Sequence, residues 1–274
     1  ILESFGKEAV GFYNHDLDNG TYKGFTPFLD SLSGQSKIFW NSFANGRKSI
    51  DAIPSCIASI PSGFNPFVLT PYVSDTVGGM GHILRNEGYH TSFFHGAPNG
   101  SMGFSAIVKL LGIDHYYGKN EFNSDTQYDG IWGIWDEPFF QYFANTLGTF
   151  KEPCFSTVFS VSSHHPFKVP AQYNGKFKKG PLPVLECIGY TDMALQKFFD
   201  NVKRQPWFEN TLFVITADHA TETYHEEYKT AWGEIAIPIL LYAPGDSSMR
   251  GVDQGTIQQI DIMPTVLGYL QYNR

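Results

Sequence analysis

The sequence predicts an α/β protein in which a mostly parallel central sheet carries helices on both faces. Segments with strand character alternate with segments of helical spacing throughout the chain, which is the pattern of such sheets. The stretch 212–216 contains only apolar or β-branched residues, as is typical of a buried strand. The chain has 274 residues, of which 42% are hydrophobic, and can therefore bury one large core.

The first half of the chain alternates short strands and helices. Residues 1–2 end a strand, and a helix follows at 26–32. Thr26 is its predicted N-cap and Pro27 its first residue, because the N–H that proline lacks has no helical partner at that position. The remaining predicted elements of this half are a strand at 37–43, helices at 50–60 and 76–87, a strand at 89–95 and a glycine-rich loop at 99–103.

The second half continues the alternation with longer elements. Its predicted elements are a helix at 136–147 with Asp136 as N-cap, a strand at 154–162, an exposed Lys-, Gly- and Pro-rich loop at 168–183, a helix at 185–204, strands at 212–217 and 235–243, and a helix at 260–270. Pro238 argues for an edge or a bulge in its strand, because proline has no N–H for the ladder. The last strand and helix could form a small C-terminal subdomain.

The composition argues against several classes of function. The net charge is −8 and no Lys/Arg run interleaves with aromatic residues, so we expect no nucleic-acid binding. The three cysteines, Cys56, Cys154 and Cys187, lie far apart and form neither a disulfide framework nor a thiolate metal cluster. No apolar run reaches the length of a membrane span.

Asp218 and His219 stand directly after the most strand-like segment of the chain. Ligands of open α/β sheets bind beyond the carboxyl ends of the strands. A carboxylate beside an imidazole at such a place suits Mn²⁺, Zn²⁺ or Mg²⁺. The alternative is an aspartate that caps a helix, followed by a loop histidine.

Three further residues stand at the ends of predicted elements and would meet the Asp-His pair in one crevice: Glu3, Ser49 and His164. Glu3 would add an oxygen ligand. Ser49 would be a fourth ligand and a nucleophile, because a cation lowers the pKa of a hydroxyl. The helix that follows Ser49, with the charges of Arg47 and Lys48, would favour an anion, so the group suits attack on phosphorus or sulfur.

Each of these residues also has a purely structural interpretation. Ser49 could be an N-cap of the helix that follows it, without a catalytic role. Glu3 could be a solvated charge at a strand end. His164 could belong to a turn whose imidazoles bind backbone carbonyls. His95, at the end of the strand 89–95, fits a structural role better than a catalytic one.

Six short motifs occur in order along nearly the whole chain. They are LESF at 2–5, FANGRKS at 43–49, FHG at 94–96, SHHPF at 163–167, TADH at 216–219 and DIMPT at 261–265. With these motifs the sequence resembles the sulfatase-like branch of the alkaline phosphatase superfamily, most of all the lipoteichoic acid synthase and phosphoglycerol transferase group. The resemblance implies an alkaline phosphatase-like fold and one catalytic domain over residues 1–274.

The resemblance also implies roles at the matching positions. Glu3, Asp218 and His219 correspond to metal ligands. Ser49 stands where the group has its nucleophile and would be a ligand as well. His164 matches a histidine that contacts the substrate phosphate, and it could act as an acid toward the leaving group.

Three more residues are predicted to bind substrate. His95 matches a second pocket histidine, Arg47 provides positive charge, and Asn99 lies in the loop 96–104. Lipoteichoic acid synthases carry an aromatic pair and an arginine in that loop, whereas this chain has no arginine there, so the substrate headgroup stays open. The residues after Ser49 lack the Pro and Arg of the C/S-x-P-x-R motif, which argues against sulfate-ester hydrolysis through formylglycine.

We therefore predict a metal-dependent phosphotransferase that acts on phosphodiester headgroups, with a phospholipid or an envelope glycan as substrate. Mn²⁺ is the favoured ion, and Mg²⁺, Zn²⁺ and Ca²⁺ are alternatives. A phosphoric- or sulfuric-ester hydrolase and a catalytically inactive binding domain are the alternative functions. The chain opens within a predicted strand, so we expect N-terminal membrane spans to precede it and the domain to lie outside the cytoplasmic membrane, at the cell envelope.

Overall fold

The computed structural model describes residues 1–74 and 77–272, and these form the predicted α/β architecture. The strands are β1 (Lys37–Phe43), β2 (His90–His95), β3 (His115–Tyr117), β4 (Cys154–Phe159), β5 (Phe213–Thr216), β6 (Ile239–Tyr242) and β7 (Gly251–Gln258). The helices are α1 (Pro27–Ser33), α2 (Ser49–Ala58), α3 (Met80–Asn86), α4 (Phe104–Leu110), α5 (Lys119–Phe122), α6 (Asp136–Leu147), α7 (Val184–Val202) and α8 (Ile262–Tyr269). No element was predicted for β3, β7, α4 or α5.

Hydrogen bonds order the strands as β3-β2-β4 in one part of the sheet and β5-β6-β1-β7 in the other. The first two residues join these parts. The amine of Ile1 donates to the carbonyl of Val158, 2.8 Å away, and Leu2 pairs with Ala217 in parallel. β2 is parallel to β3 and β4, and β1 to β7, whereas β6 is antiparallel to β1 and β5. The described sheet is mostly parallel, as predicted, and its C-terminal strands flank β1.

Pro238 does not mark an edge strand. It immediately precedes β6, which pairs with β5 on one side and β1 on the other. The missing N–H is tolerated there because the ladder begins one residue later. Between the pair Ile38–Leu240 and the pair Phe43–Ala236 the register shifts by one residue, so the irregularity predicted from the proline is present.

The helices pack in two separate groups, α1 and α6 against α7, and α3, α4 and α8 against α2. Such grouping is expected for helices that cover opposite faces of a sheet. Pro27 opens α1 after Thr26, as predicted, but the Thr26 side chain makes no capping bond. The carboxylate of Asp192 on α7 caps this helix instead, accepting the N–H groups of Phe28 and Leu29 at 2.9 Å each.

Two predicted helix starts differ from the structure. Asp136 is the first residue of α6 and not its N-cap. Its carboxylate accepts the N–H groups of Val161 and Ser162, beyond the end of β4, rather than those of its own helix. The helix predicted at 76–87 is observed as α3, which is shorter; the predicted first residue, Thr76, lies outside the described residues.

Phenylalanine fills much of the core between the sheet and the helices. Phe93, Phe94 and Phe159, on β2 and β4, are completely buried. Each such side chain stabilises the fold by about 1.5–3 kcal/mol relative to an exposed one. In the ranges 1–74 and 77–272, no helix combines the length and the apolarity that crossing a bilayer requires.

Candidate active site

Four predicted residues meet where β5 and the N-terminal residues leave the sheet. Ser49, the first residue of α2, donates from Oγ to Glu3 Oε2 at 3.0 Å. The Nε2 atom of His219 lies 3.5 Å from this Oγ and 3.7 Å from Glu3 Oε1. The same Nε2 is 3.3 Å from Asp218 Oδ2. Two carboxylates, an imidazole and a hydroxyl thus form one compact group.

The position of Glu3 follows from the insertion of the N-terminal residues into the sheet. Leu2 accepts the N–H of Asp218 at 3.1 Å, which brings the two carboxylates to adjacent chain segments. Two serines after β4 then hold the main chain of Glu3. Its N–H donates to Ser160 Oγ at 2.8 Å, and Ser163 Oγ donates to its carbonyl.

Ser49 reaches the site through the turn that precedes α2. Gly46 is required in this turn, because a Cβ atom there would lie 2.4 Å from the Cβ of Asp51. The N–H of Asn45 donates to the side-chain oxygen of Gln259 at 2.9 Å. The amide nitrogen of Gln259 donates to the carbonyl of Asp218 at 2.8 Å, so this glutamine connects the Ser49 turn to the Asp218 segment.

Gln259 and Ser4 also support the site, although neither was predicted as a site residue. Gln259 is completely buried, and the sequence carries no signal for it, because polar and apolar residues are equally frequent in the stretch 257–262. Ser4 has a φ of 58°, a left-handed conformation that is uncommon outside glycine and recurs at functional sites. Its N–H donates to Asp218 Oδ1 and its hydroxyl to Glu3 Oε1, each at 2.8 Å.

The two carboxylates are buried, and no lysine or arginine of the described residues pairs with them. Glu3 is 3% exposed and Asp218 0%, and within the ranges 1–74 and 77–272 no hydrogen bond reaches Asp218 Oδ2. Burial, followed by the adjacent Asp218 carboxylate, raises the pKa of Glu3 well above its usual value. Two adjacent buried carboxylates are unfavourable unless a cation neutralises them, so these residues fit a divalent cation.

His219 presents Nε2 to the carboxylates. Its Nδ1 atom lies 2.9 Å from the carbonyl of Ala220. With the proton on Nδ1 the ring donates this hydrogen bond and keeps the Nε2 lone pair, as metal-ligating histidines do. Oxygen ligands with one imidazole suit Mn²⁺, Mg²⁺ or Zn²⁺.

Three of the alternative interpretations, in which Ser49, Glu3 and Asp218 have no role in a metal site, do not agree with the positions of these residues. Ser49 is not an N-cap, because Lys48 occupies that position and no side chain caps the helix. Glu3 is buried and not solvated. Asp218 caps no helix, since residues 220–224 have no regular secondary structure.

His164 is half-buried on the loop after β4. The ring of Trp132 packs on it with the ring centres 3.8 Å apart, and Trp132 Nε1 donates to the carbonyl of His165 at 2.6 Å. The Nδ1 atoms of His164 and His165 are 2.9 Å apart. Partial burial lowers the pKa of His164, which favours its neutral form. No motif indicated the contact with Trp132.

The other predicted substrate-binding residues have partners outside this group. His95 is buried, and its Nδ1 lies 3.3 Å from a main-chain carbonyl of β4. Burial lowers its pKa to about 4, which agrees with the structural alternative. Arg47 pairs with Glu234 at 2.9 Å at the surface, and Asn99 donates to both carboxylate oxygens of Glu121. Contacts of these residues with a substrate stay a prediction.

Curated proteins and a family model match this chain. The family model described as Sulfatase covers residues 1–272. Lipoteichoic acid synthase 1 of Bacillus subtilis is 24% identical over an alignment of 275 residues, which covers 88% of this chain and 41% of that protein. The chain thus spans about two fifths of the length of the curated relatives that it matches.

Solved structures show the same fold. The lipoteichoic acid synthase LtaP of Listeria monocytogenes superposes with a TM-score of 0.84 at 22% identity, over 99% of this chain and 71% of that chain. A protein in the alkaline phosphatase superfamily from Vibrio parahaemolyticus superposes with a TM-score of 0.82 at 23% identity, over 98% and 64% of the two chains. These neighbours confirm the alkaline phosphatase-like fold. Because the family model matches nearly the whole chain, this protein belongs to the sulfatase family.

Proposed function

We propose that this chain is a metal-dependent phosphotransferase with Ser49 as its nucleophile. The observation that carries the proposal is the 3.0 Å hydrogen bond from Ser49 Oγ to Glu3 Oε2. It holds a buried hydroxyl in a group that also contains Asp218 Oδ2, to which none of the described residues donates a hydrogen bond. Ser49 also opens α2, and the free N–H groups of a first helical turn favour an anion.

Glu3, Asp218 and His219 would hold the cation, with Ser49 as a fourth ligand. Enzymes of this superfamily generally use divalent metals, and we favour Mn²⁺ over Mg²⁺, Zn²⁺ and Ca²⁺. When bound, such a cation lowers the pKa of a hydroxyl and neutralises charge that develops on phosphoryl oxygens. The two buried carboxylates supply the negative charge that retains it.

In the proposed reaction, Ser49 Oγ attacks the phosphorus of a phosphodiester. Ser49 attacks as the alkoxide, after its hydroxyl proton has passed to solvent water, which a lowered hydroxyl pKa allows. The Oγ–P bond forms, the P–O bond to a diacylglycerol-like group breaks, and His164 gives its proton to the leaving oxygen. An anionic substrate beside His164 raises the pKa of the imidazole and so opposes the effect of burial. An acceptor hydroxyl, or water, then attacks the phosphorus and gives its proton to His164. The Oγ–P bond breaks, and Ser49 leaves as the alkoxide in which it began the cycle.

The substrate class is part of the proposal. Relatives named lipoteichoic acid synthase support a phosphoglycerol-like headgroup and an acceptor in the cell envelope. Since the loop 96–104 has no arginine, the contacts with the headgroup differ from those implied by the resemblance. We place the domain at the extracytoplasmic face of a membrane, held there by N-terminal spans, where phospholipid and envelope glycan are both accessible.

A matched pair of an aryl phosphodiester and an aryl sulfate tests this function. The Mn²⁺-loaded protein should cleave the phosphodiester much faster than the sulfate, and intact-mass analysis should detect a phosphoryl adduct at Ser49. Preferential cleavage of the sulfate would favour the sulfatase-like alternative. Phosphodiester cleavage with water as the only acceptor would favour a hydrolase. Failure to bind any of the four cations would favour an inactive binding domain. The presence of all four side chains, Glu3, Ser49, Asp218 and His219, argues against that alternative.

A further inference from the structure

The longest stretch of the sequence without an acidic or basic side chain runs from residue 52 to residue 74. Its first part lies in the buried helix α2, but no residue from 61 to 74 is buried. Phe64, Leu69 and Tyr72 are 105%, 71% and 65% exposed. Single exposed apolar residues are common, but three so close together without an intervening charge form a patch that marks an interaction surface.

The patch borders the candidate active site. Phe64 lines one cleft with Arg47 and Lys48, the two residues directly before Ser49. Trp232, which is 67% exposed, stands two residues before the carboxylate that binds Arg47. Exposed apolar side chains, the exposed Lys48 and the surface ion pair of Arg47 with Glu234 therefore flank the segment that leads to the proposed nucleophile.

We propose that Phe64, Leu69 and Tyr72, together with Arg47 and Lys48, form a docking surface for an anionic phospholipid bilayer. Uncharged segments with aromatic and aliphatic side chains enter the boundary between headgroups and acyl chains at little desolvation cost. Lysine and arginine attract the headgroup phosphates. Because the chain as a whole carries a net charge of −8, a negative bilayer attracts this side in preference to the rest of the surface.

The docking surface deepens the proposed function, on which it rests for its lipid substrate. A domain docked by residues beside Ser49 meets the phosphodiester at the membrane surface and has no need to extract the lipid. Docking is therefore required for turnover of lipid in vesicles and is dispensable for turnover of a small water-soluble phosphodiester.

The double variant Leu69→Ser/Tyr72→Ser tests the proposal, because neither residue lines the cleft beside Ser49. Val252→Ser is the matched control: Val252 is 44% exposed and pairs with Ile38 near the start of β1, away from the Ser49 end of that strand. The measurements are cosedimentation with vesicles of phosphatidylcholine and phosphatidylglycerol, and turnover of a soluble aryl phosphodiester by the same preparations.

The parent and Val252→Ser should bind the vesicles, and the double variant should bind them roughly tenfold more weakly. All three should cleave the soluble substrate at the same rate. Equal vesicle binding by the double variant, or no vesicle binding by the parent, would overturn the docking surface. Self-association of the parent in sedimentation velocity that the double variant loses would assign the patch to a second copy. If the parent binds vesicles but does not cleave the soluble phosphodiester, the proposed function is wrong and the docking surface still stands.

Discussion

The carboxylate of Asp136 accepts a hydrogen bond from the main-chain N–H of Val161 at 2.8 Å and so fixes the chain three residues before His164. The same carboxylate accepts from the N–H of Ser162 at 3.2 Å and from Thr191 Oγ1 at 2.6 Å. Asp136 is 1% exposed, and it ties the end of β4 to α6 and α7. The proposed acid therefore stands on a segment that a buried carboxylate anchors.

Replacement of Asp136 by Asn should lower kcat for an aryl phosphodiester roughly tenfold with little change in KM, because small misplacements of catalytic groups are costly. Asp192→Asn is the matched control, since Asp192 is also buried and accepts two main-chain N–H groups, but at the start of α1. Both variants should melt cooperatively, and only Asp136→Asn should shift the pH profile of kcat. Equal kcat losses in the two variants would assign Asp136 a role in stability alone.

Replacement of Ser49 by Ala should lower phosphodiester turnover roughly 10³-fold or more, because it removes the hydroxyl that forms the proposed covalent intermediate. Ser55→Ala is the control in the same helix. Ser55 is buried, and its hydroxyl lies within hydrogen-bond distance of two main-chain carbonyls, those of Asp51 and Ile60. Steady-state rates and the mass of the trapped adduct measure the effect. Parental turnover by Ser49→Ala would contradict the nucleophile assignment.

Replacement of Asp218 by Asn should weaken Mn²⁺ binding at least about tenfold, since it removes one of two anionic ligands. The amide oxygen can still accept the N–H groups of Ser4 and His219, which bond Oδ1 at 2.8 and 2.7 Å. In EDTA the variant should be no less stable than the parent, because Glu3 loses its charged neighbour. Titration calorimetry and thermal unfolding with and without Mn²⁺ measure both effects. Unchanged metal content by elemental analysis would refute the ligand assignment.

The stability of the protein should fall between about pH 4 and pH 7 through Asp192. Burial raises its pKa to about 7, whereas the same group in an unfolded chain titrates near the ordinary aspartate pKa of 3.8. The folded state therefore binds the proton more tightly, so this stabilisation is complete below the unfolded pKa and is lost as the pH rises through the folded pKa. Asp192→Asn removes this titration. Relative to the parent, the variant should gain up to roughly 4 kcal/mol of unfolding free energy across that range.

Urea unfolding of the parent and of Asp192→Asn at a series of pH values tests this expectation. The difference between their unfolding free energies should grow as the pH rises. Parallel pH profiles of the two proteins would show that the Asp192 carboxylate does not titrate in this range in the folded state.

The residues of the candidate site could be found from the sequence because their signals are local. A run of apolar residues that ends in Asp218-His219 indicates a buried strand with two polar groups at its end. Parallel strands bring such ends together, so Glu3 and Ser49 were expected in the same crevice. The structure places all four side chains in one group.

Other parts of the fold have no local signal. β7 is an edge strand with mostly exposed residues and no apolar alternation, and it is a strand because it pairs with β1. The N-terminal residues were predicted to end a strand, but their place between β4 and β5 depends on partners far along the chain. The residues after Pro238 form a central strand because they pair with β5 on one side and with β1 on the other.

The sequence by itself determined the α/β class and the four side chains that would hold a cation, because apolar periodicity and residue chemistry are properties of short segments. Only the tertiary structure decided how those side chains are supported. Asp136, Gln259 and Trp132 act through hydrogen bonds and ring contacts with residues distant in the sequence. Such contacts depend on which elements become neighbours in the folded chain, and no short stretch of sequence contains that information.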